Sequence, residues 1–145
     1  MKTTILVNRK SRRSGNAMIE TAFGSTVLFF MLSGVIDFGR AFHMTDVAVG
    51  AARAGAQYGI QSAANFGNYP GMVAAAQADA QGVSNFSATA ESYCKDLADA
   101  TVDCETPGAR GYVKVKTSIV YNLIIPWPGL PNPLPIGGSA ILRTQ

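Results

Sequence analysis

Hydrophobic and polar positions divide the chain into segments of different period. After a basic opening stretch, residues Ala17 to Ile36 carry only one charge, Glu20, and are apolar on every side of a helical wheel. A helix that is apolar all round needs lipid or a large protein interior around it. At about 1.5 Å rise per residue this run just covers a hydrocarbon core of about 30 Å, so it predicts a membrane span over about 17–36. The helical pattern then continues without a proline to Gly59, but its faces separate. His43, Asp46, Arg53 and Gln57 share one face, while Ala41, Ala48, Ala52, Gly55, Ala56 and Gly59 gather on roughly the opposite one. Small residues at that spacing let another backbone approach closely. The expected occupants are a neighbouring helix in an assembly and, near the C-terminal end of the helix, the chain's own domain.

Past residue 60 the signals shorten. Asn65 to Gly71 reads as a loop from its Gly, Asn and Pro content, and Met72 to Gln81 as a short alanine-rich helix closed by Gly82. Ala88 to Tyr93 is a candidate short strand. After the turn Thr106–Gly111, Val113, Val115, Thr117, Ile119 and Tyr121 alternate with Lys114, Lys116, Ser118 and Val120, the period of a half-buried strand. Five of the seven prolines fall between Pro126 and Pro135, so that segment cannot be a helix or a central strand. It reads as a hairpin loop from which Ser139–Arg143 returns as a partner strand. Leu123, Ile125 and Trp127 either cap the sheet or touch another subunit or the outer leaflet.

The predicted fold is therefore α+β: a long N-terminal transmembrane helix running into a small exported domain with a short helix and a small antiparallel sheet. The expected divisions are a basic leader (1–15), the N-terminal helix (16–60) and the exported domain (61–145).

Charge sets the orientation. Lys2, Arg9, Lys10, Arg12 and Arg13 precede the run with no acid among them, which favours a cytoplasmic N-terminus and an exported C-terminal domain. Without these five bases and Glu20, seven basic residues face eight acidic ones, so the net charge of +3 belongs to the leader. No electrostatic drive toward nucleic acid is expected of the exported part. A charged n-region and apolar h-region also fit a cleavable secretory signal, but the run is too long and no A-x-A-like site follows it.

Glu20 is what topology alone does not explain, because an ionisable residue inside a span is costly and points to a partner. Were the chain cut after Gly15, Asn16 would carry a free amine, cationic below about pH 8. On a helix, residue 20 lies one turn from residue 16 on the same face. Glu20 could then neutralise its own new terminus or that of a neighbour.

Gly15 followed by Glu20 resembles the processing site of type IV pilin-like precursors, which a prepilin peptidase cuts after the glycine. The wider pattern Arg13-Ser14-Gly15-Asn16-Ala17-Met18-Ile19-Glu20-Thr21-Ala22, then Gly34-Val35-Ile36-Asp37-Phe38-Gly39-Arg40, then Ala51-Ala52-Arg53-Ala54-Gly55, resembles the TadE-like proteins of tight-adherence (Flp) pilus assembly. The resemblance covers about the first 60 residues. It implies a minor, pilin-like or pseudopilin-like subunit in a bacterial inner membrane. Its implied partners are the prepilin peptidase and other pilin-like or Tad subunits, with Gly15 and Asn16 as the processing site, Glu20 as the assembly residue, and Ala48, Ala52, Gly55 and Gly59 in helix packing. The competing reading is an unprocessed, membrane-anchored envelope protein whose exported domain binds a partner or stabilises a complex.

Cys94 and Cys104 fall on the exported side, where disulfides persist, and are expected to form a structural one. No phosphate-binding glycine loop, Ser/His/Asp order or metal-ligand spacing is present, so neither an enzyme nor a cofactor is expected. His43, the only histidine, reads as a surface residue beside Asp46. The acids Asp96, Asp99, Asp103 and Glu105 read as a solvated loop in preference to a calcium site.

Overall fold

The computed structural model describes residues 12–144, with side chains from residue 15 onward. Lys2, Arg9 and Lys10 of the basic leader, and the side chains of Arg12 and Arg13, lie outside the described residues. Two compact units emerge, residues 1–38 and 39–145.

The first unit is the beginning of helix α1 (Arg12–Ile60). Its large apolar side chains are exposed, and Phe23, Leu28, Phe29, Phe30, Met31 and Val35 are each more than half so. Its hydroxyls are turned back on the helix. Thr21 Oγ1 donates to the Ala17 carbonyl at 2.8 Å, Thr26 Oγ1 to Ala22 at 2.8 Å and Ser33 Oγ to Phe29 at 2.8 Å. Polar groups satisfied within their own segment are what a hydrocarbon environment demands. Among the described residues this is the one helix long and apolar enough to cross a membrane.

The second unit takes the remainder of α1 and packs a short helix and a sheet against it. Helix α2 (Tyr69–Asp79) starts three residues earlier than the alanine-rich pattern suggested. Proline is tolerated in a first turn, where its missing N–H has no partner to lose. The Asn68 side chain caps this helix by accepting from Gly71 N at 3.1 Å.

The sheet contains β1 (Phe86–Lys95), β2 (Thr101–Val102), β3 (Arg110–Tyr121) and β4 (Leu134–Arg143), in the order β2-β1-β3-β4 and antiparallel throughout. Val113, Val115, Thr117, Ile119 and Tyr121 are all buried, as their alternation predicted. They meet Ala48, Ala51 and Ala56 of α1 and Met72 and Ala76 of α2 in two adjoining clusters. Pro135 lies within β4, which the edge of a sheet permits.

Candidate functional site

Among the described residues no group of three or more His, Cys, Asp or Glu side chains is placed to hold a metal ion. Two acids of the loop are engaged within it: Asp96 Oδ1 accepts from the amides of Ala98 (2.8 Å) and Ala100 (2.9 Å), and Asp99 pairs with Lys95 at 3.1 Å. His43 is exposed on α1. A cleft of about 480 Å³ bounded by Ile60, Phe66, Gly111, Thr144 and the disulfide has no ionisable side chain in its lining. Two surfaces of α1 carry the positions singled out in the sequence.

The first is the exposed helix. Gly15, Asn16 and Glu20 all lie on the described part of α1 and are exposed. Asn16 and Glu20 are one turn apart, as their spacing required. A Cβ on Gly15 would meet no atom of the described residues within 4 Å beyond its own stretch of helix. Glu20 has no ion-pair partner among the described residues.

The second is the small-residue face further along α1, and here the chain's own domain is the occupant. Ala48, Ala52, Gly55 and Gly59 are all buried. A Cβ on Gly55 would fall 2.7 Å from the Met72 carbonyl oxygen and 3.2 Å from Val115 Cγ1, and one on Gly59 would fall 2.6 Å from Met72 Cε. The tightest approach to the backbone of α1 involves a residue outside the candidates named above. A Cβ on Gly138 of β4 would lie 2.5 Å from both the carbon and the oxygen of the Ala48 carbonyl. A glycine within a strand marks such an approach, but the return strand was expected only from Ser139, whereas β4 starts at Leu134 and takes in Gly137 and Gly138.

Beside this contact Thr117 Oγ1 donates to the Ala48 oxygen at 2.7 Å, so the buried Thr117 hydroxyl is satisfied by α1.

Cys94 and Cys104 are joined in a disulfide that ties the β1–β2 turn region, their Cα atoms 5.1 Å apart. The sheet's outer face is not neutral although the exported part sums close to zero. Lys95, Arg110, Lys114, Lys116 and Arg143 sit at register positions that alternate with the buried ones. Glu91 pairs with Lys114 at 2.8 Å, and Tyr93 stacks on Tyr112 with ring centroids 5.7 Å apart. The hydrogen bond from Lys114, and then its charge, lowers the Glu91 pKa, while the bond to Glu91 raises that of Lys114.

Neither a curated protein nor a solved structure matches the chain. The family model described as TadE-like protein matches residues 15–57, a segment that lies wholly within α1. The resemblance read from Gly15, Glu20 and the Ala51–Gly55 stretch is therefore shown over that segment, and by its N-terminal helix this chain is similar to the TadE-like proteins of the Tad pilus system.

Proposed function

We propose that the protein is a non-catalytic, pilin-like subunit, a minor pilin or pseudopilin, in the assembly of a Tad/Flp pilus. In this reading it is inserted in the bacterial inner membrane with its N-terminus in the cytoplasm and its C-terminal domain outside. A prepilin peptidase cuts it between Gly15 and Asn16. The helix from Asn16 to about Ile36 then packs against other pilin-like or Tad subunits, and Glu20 faces a freshly exposed amine, its own or a neighbour's. A carboxylate in a span is tolerated when such a partner neutralises it.

The observation that carries this reading is a difference along α1. Its small-residue stretch is covered by the chain's own domain, whereas the apolar side chains between Met18 and Ile36 are exposed around Glu20. Ala48, Ala52, Gly55 and Gly59 accordingly do their packing within the subunit, and contacts between subunits fall to the earlier part of the helix.

The test separates cutting from assembly. Gly15→Ala should leave the precursor at full length in cells that carry the peptidase. Glu20→Ala should be cut normally yet fail to enter the pilus. A full-length chain that supports piliation, or free replacement of Glu20, would favour a permanently anchored envelope protein instead.

A further inference from the structure

The loop between β3 and β4, residues 122–133, has a composition and a position that capping the sheet does not explain. Leu123 packs into the core beside Tyr121 and Ile136, so one end of the loop does cap. Ile124 and Leu130, however, are 59% and 49% exposed. From Thr117 to Leu142 the chain contains no Asp, Glu, Lys or Arg at all. The loop also satisfies part of its own backbone, because Leu130 N donates to the Trp127 carbonyl at 3.2 Å and Leu123 N to Asn132 Oδ1 at 3.2 Å. Internally paired amides reduce the cost of leaving water.

Its position follows from one contact. The Arg40 guanidinium lies 5.4 Å from the centre of the Tyr121 ring, and Tyr121 is the last residue of β3. Arg40 is only four residues past Ile36, where the uncharged run ends. Four residues reach at most about 14 Å when fully extended and about 6 Å as helix. The polar interface of a bilayer is itself about 5–8 Å deep on each side. The chain between Ile36 and Arg40 is thus short enough for the root of the loop to reach the headgroup layer.

We infer that this loop rests in the interfacial layer of the bilayer that α1 enters, with Ile124 and Leu130 as its apolar contacts and Trp127 at the headgroup level. Tryptophan is favoured there because one edge of its ring is apolar and the other donates a hydrogen bond. A lipid surface suits the loop better than a second copy of the chain, since the span tethers the loop to lipid in every subunit before any assembly. The inference rests on residues 17–36 spanning a bilayer. It adds a second membrane contact that holds the domain against the surface until the subunit is withdrawn.

Trp127 is the chain's only tryptophan, so its fluorescence reports this contact without competition. The full-length protein would be reconstituted into phosphatidylcholine–phosphatidylglycerol vesicles whose acyl chains are brominated near either the headgroup or the methyl end. Interfacial placement predicts roughly twofold stronger quenching by the shallow bromines than by the deep ones, with weak quenching by aqueous acrylamide. The double variant Trp127→Phe, Leu130→Trp should behave alike, and Ile124→Ser with Leu130→Ser should raise the acrylamide quenching of Trp127. Quenching from water alone, or from neither side, in protein that resists alkaline carbonate extraction would overturn the inference and leave the anchor standing. Release by carbonate would remove the anchor and the inference together.

Discussion

Thr117 of β3 donates its hydroxyl hydrogen to the carbonyl oxygen of Ala48 in α1, across 69 residues of sequence, at the place where Gly138 lets β4 come up against the same carbonyl. The sheet is joined to the helix at this point by a hydrogen bond and a missing side chain together. Thr117→Val keeps the shape and removes the donor, so it should destabilise the domain by about 0.5–1.5 kcal/mol. Thermal unfolding of the full chain in detergent micelles, followed by near-UV circular dichroism, measures this.

The glycines at the helix–sheet contact rank by what their added Cβ would strike. Gly138→Ala drives a methyl into the Ala48 backbone, and Gly55→Ala drives one into the Met72 carbonyl; neither obstacle can rotate away. Overpacking of this kind costs about 1–3 kcal/mol, more than the roughly 1 kcal/mol of helix propensity that alanine returns at position 55. Gly59→Ala meets first the mobile Met72 Cε, at 2.6 Å, and should cost less. Gly39→Ala meets nothing within 4 Å and should be neutral or stabilising. Denaturant midpoints for the four variants test the order.

The disulfide closes a short loop, so its removal should cost about 2–3 kcal/mol in the chain-entropy account. The double variant Cys94→Ser, Cys104→Ser should unfold at lower temperature than the parent. The parent in reductant should match the variant, since both lose the same constraint.

The Glu91–Lys114 pair gives a pH dependence with a defined sign. The Glu91 pKa is lowered in the folded state, first by the hydrogen bond from Lys114, so the pair's contribution is present above the ordinary carboxylate range. It is lost as pH falls through the lowered value. The Lys114 pKa is raised, so on the alkaline side the contribution is lost only as pH rises through a value above 10.5. The difference in melting temperature between the parent and Glu91→Gln should therefore hold across neutral pH and shrink at both extremes. Both side chains are partly exposed, so added salt should shrink it as well.

Much of this architecture could be read from single residues, and the exceptions have physical reasons. The run before Asp37 was marked by its length without a charge and the strand from Val113 to Tyr121 by its period of two, and a helix and a strand formed where these placed them. β1 proved longer than Ala88–Tyr93 because Phe86 to Lys95 pairs with β3 at every position, a register imposed by the partner and not by local propensity. β2 has two residues, too few for any period to show. The basic outer face of the sheet was hidden by a sum of charges close to zero, which says nothing of which face each charge occupies. Of the candidate functional positions, Gly15, Asn16 and Glu20 were legible as a motif beside a span. Gly138 was not legible, because the return strand was expected only from Ser139 and what Gly138 touches lies on an element far away in sequence.

The claim on which the account depends is that α1 becomes free of its basic leader and that Glu20 then meets an amine. Intact mass of the membrane-bound protein, from cells with and without the prepilin peptidase, tests it most directly. The account predicts a chain beginning at Asn16 when the peptidase is present and a chain retaining Gly15 when it is absent. A mass that still includes Met1 to Gly15 in both would contradict it.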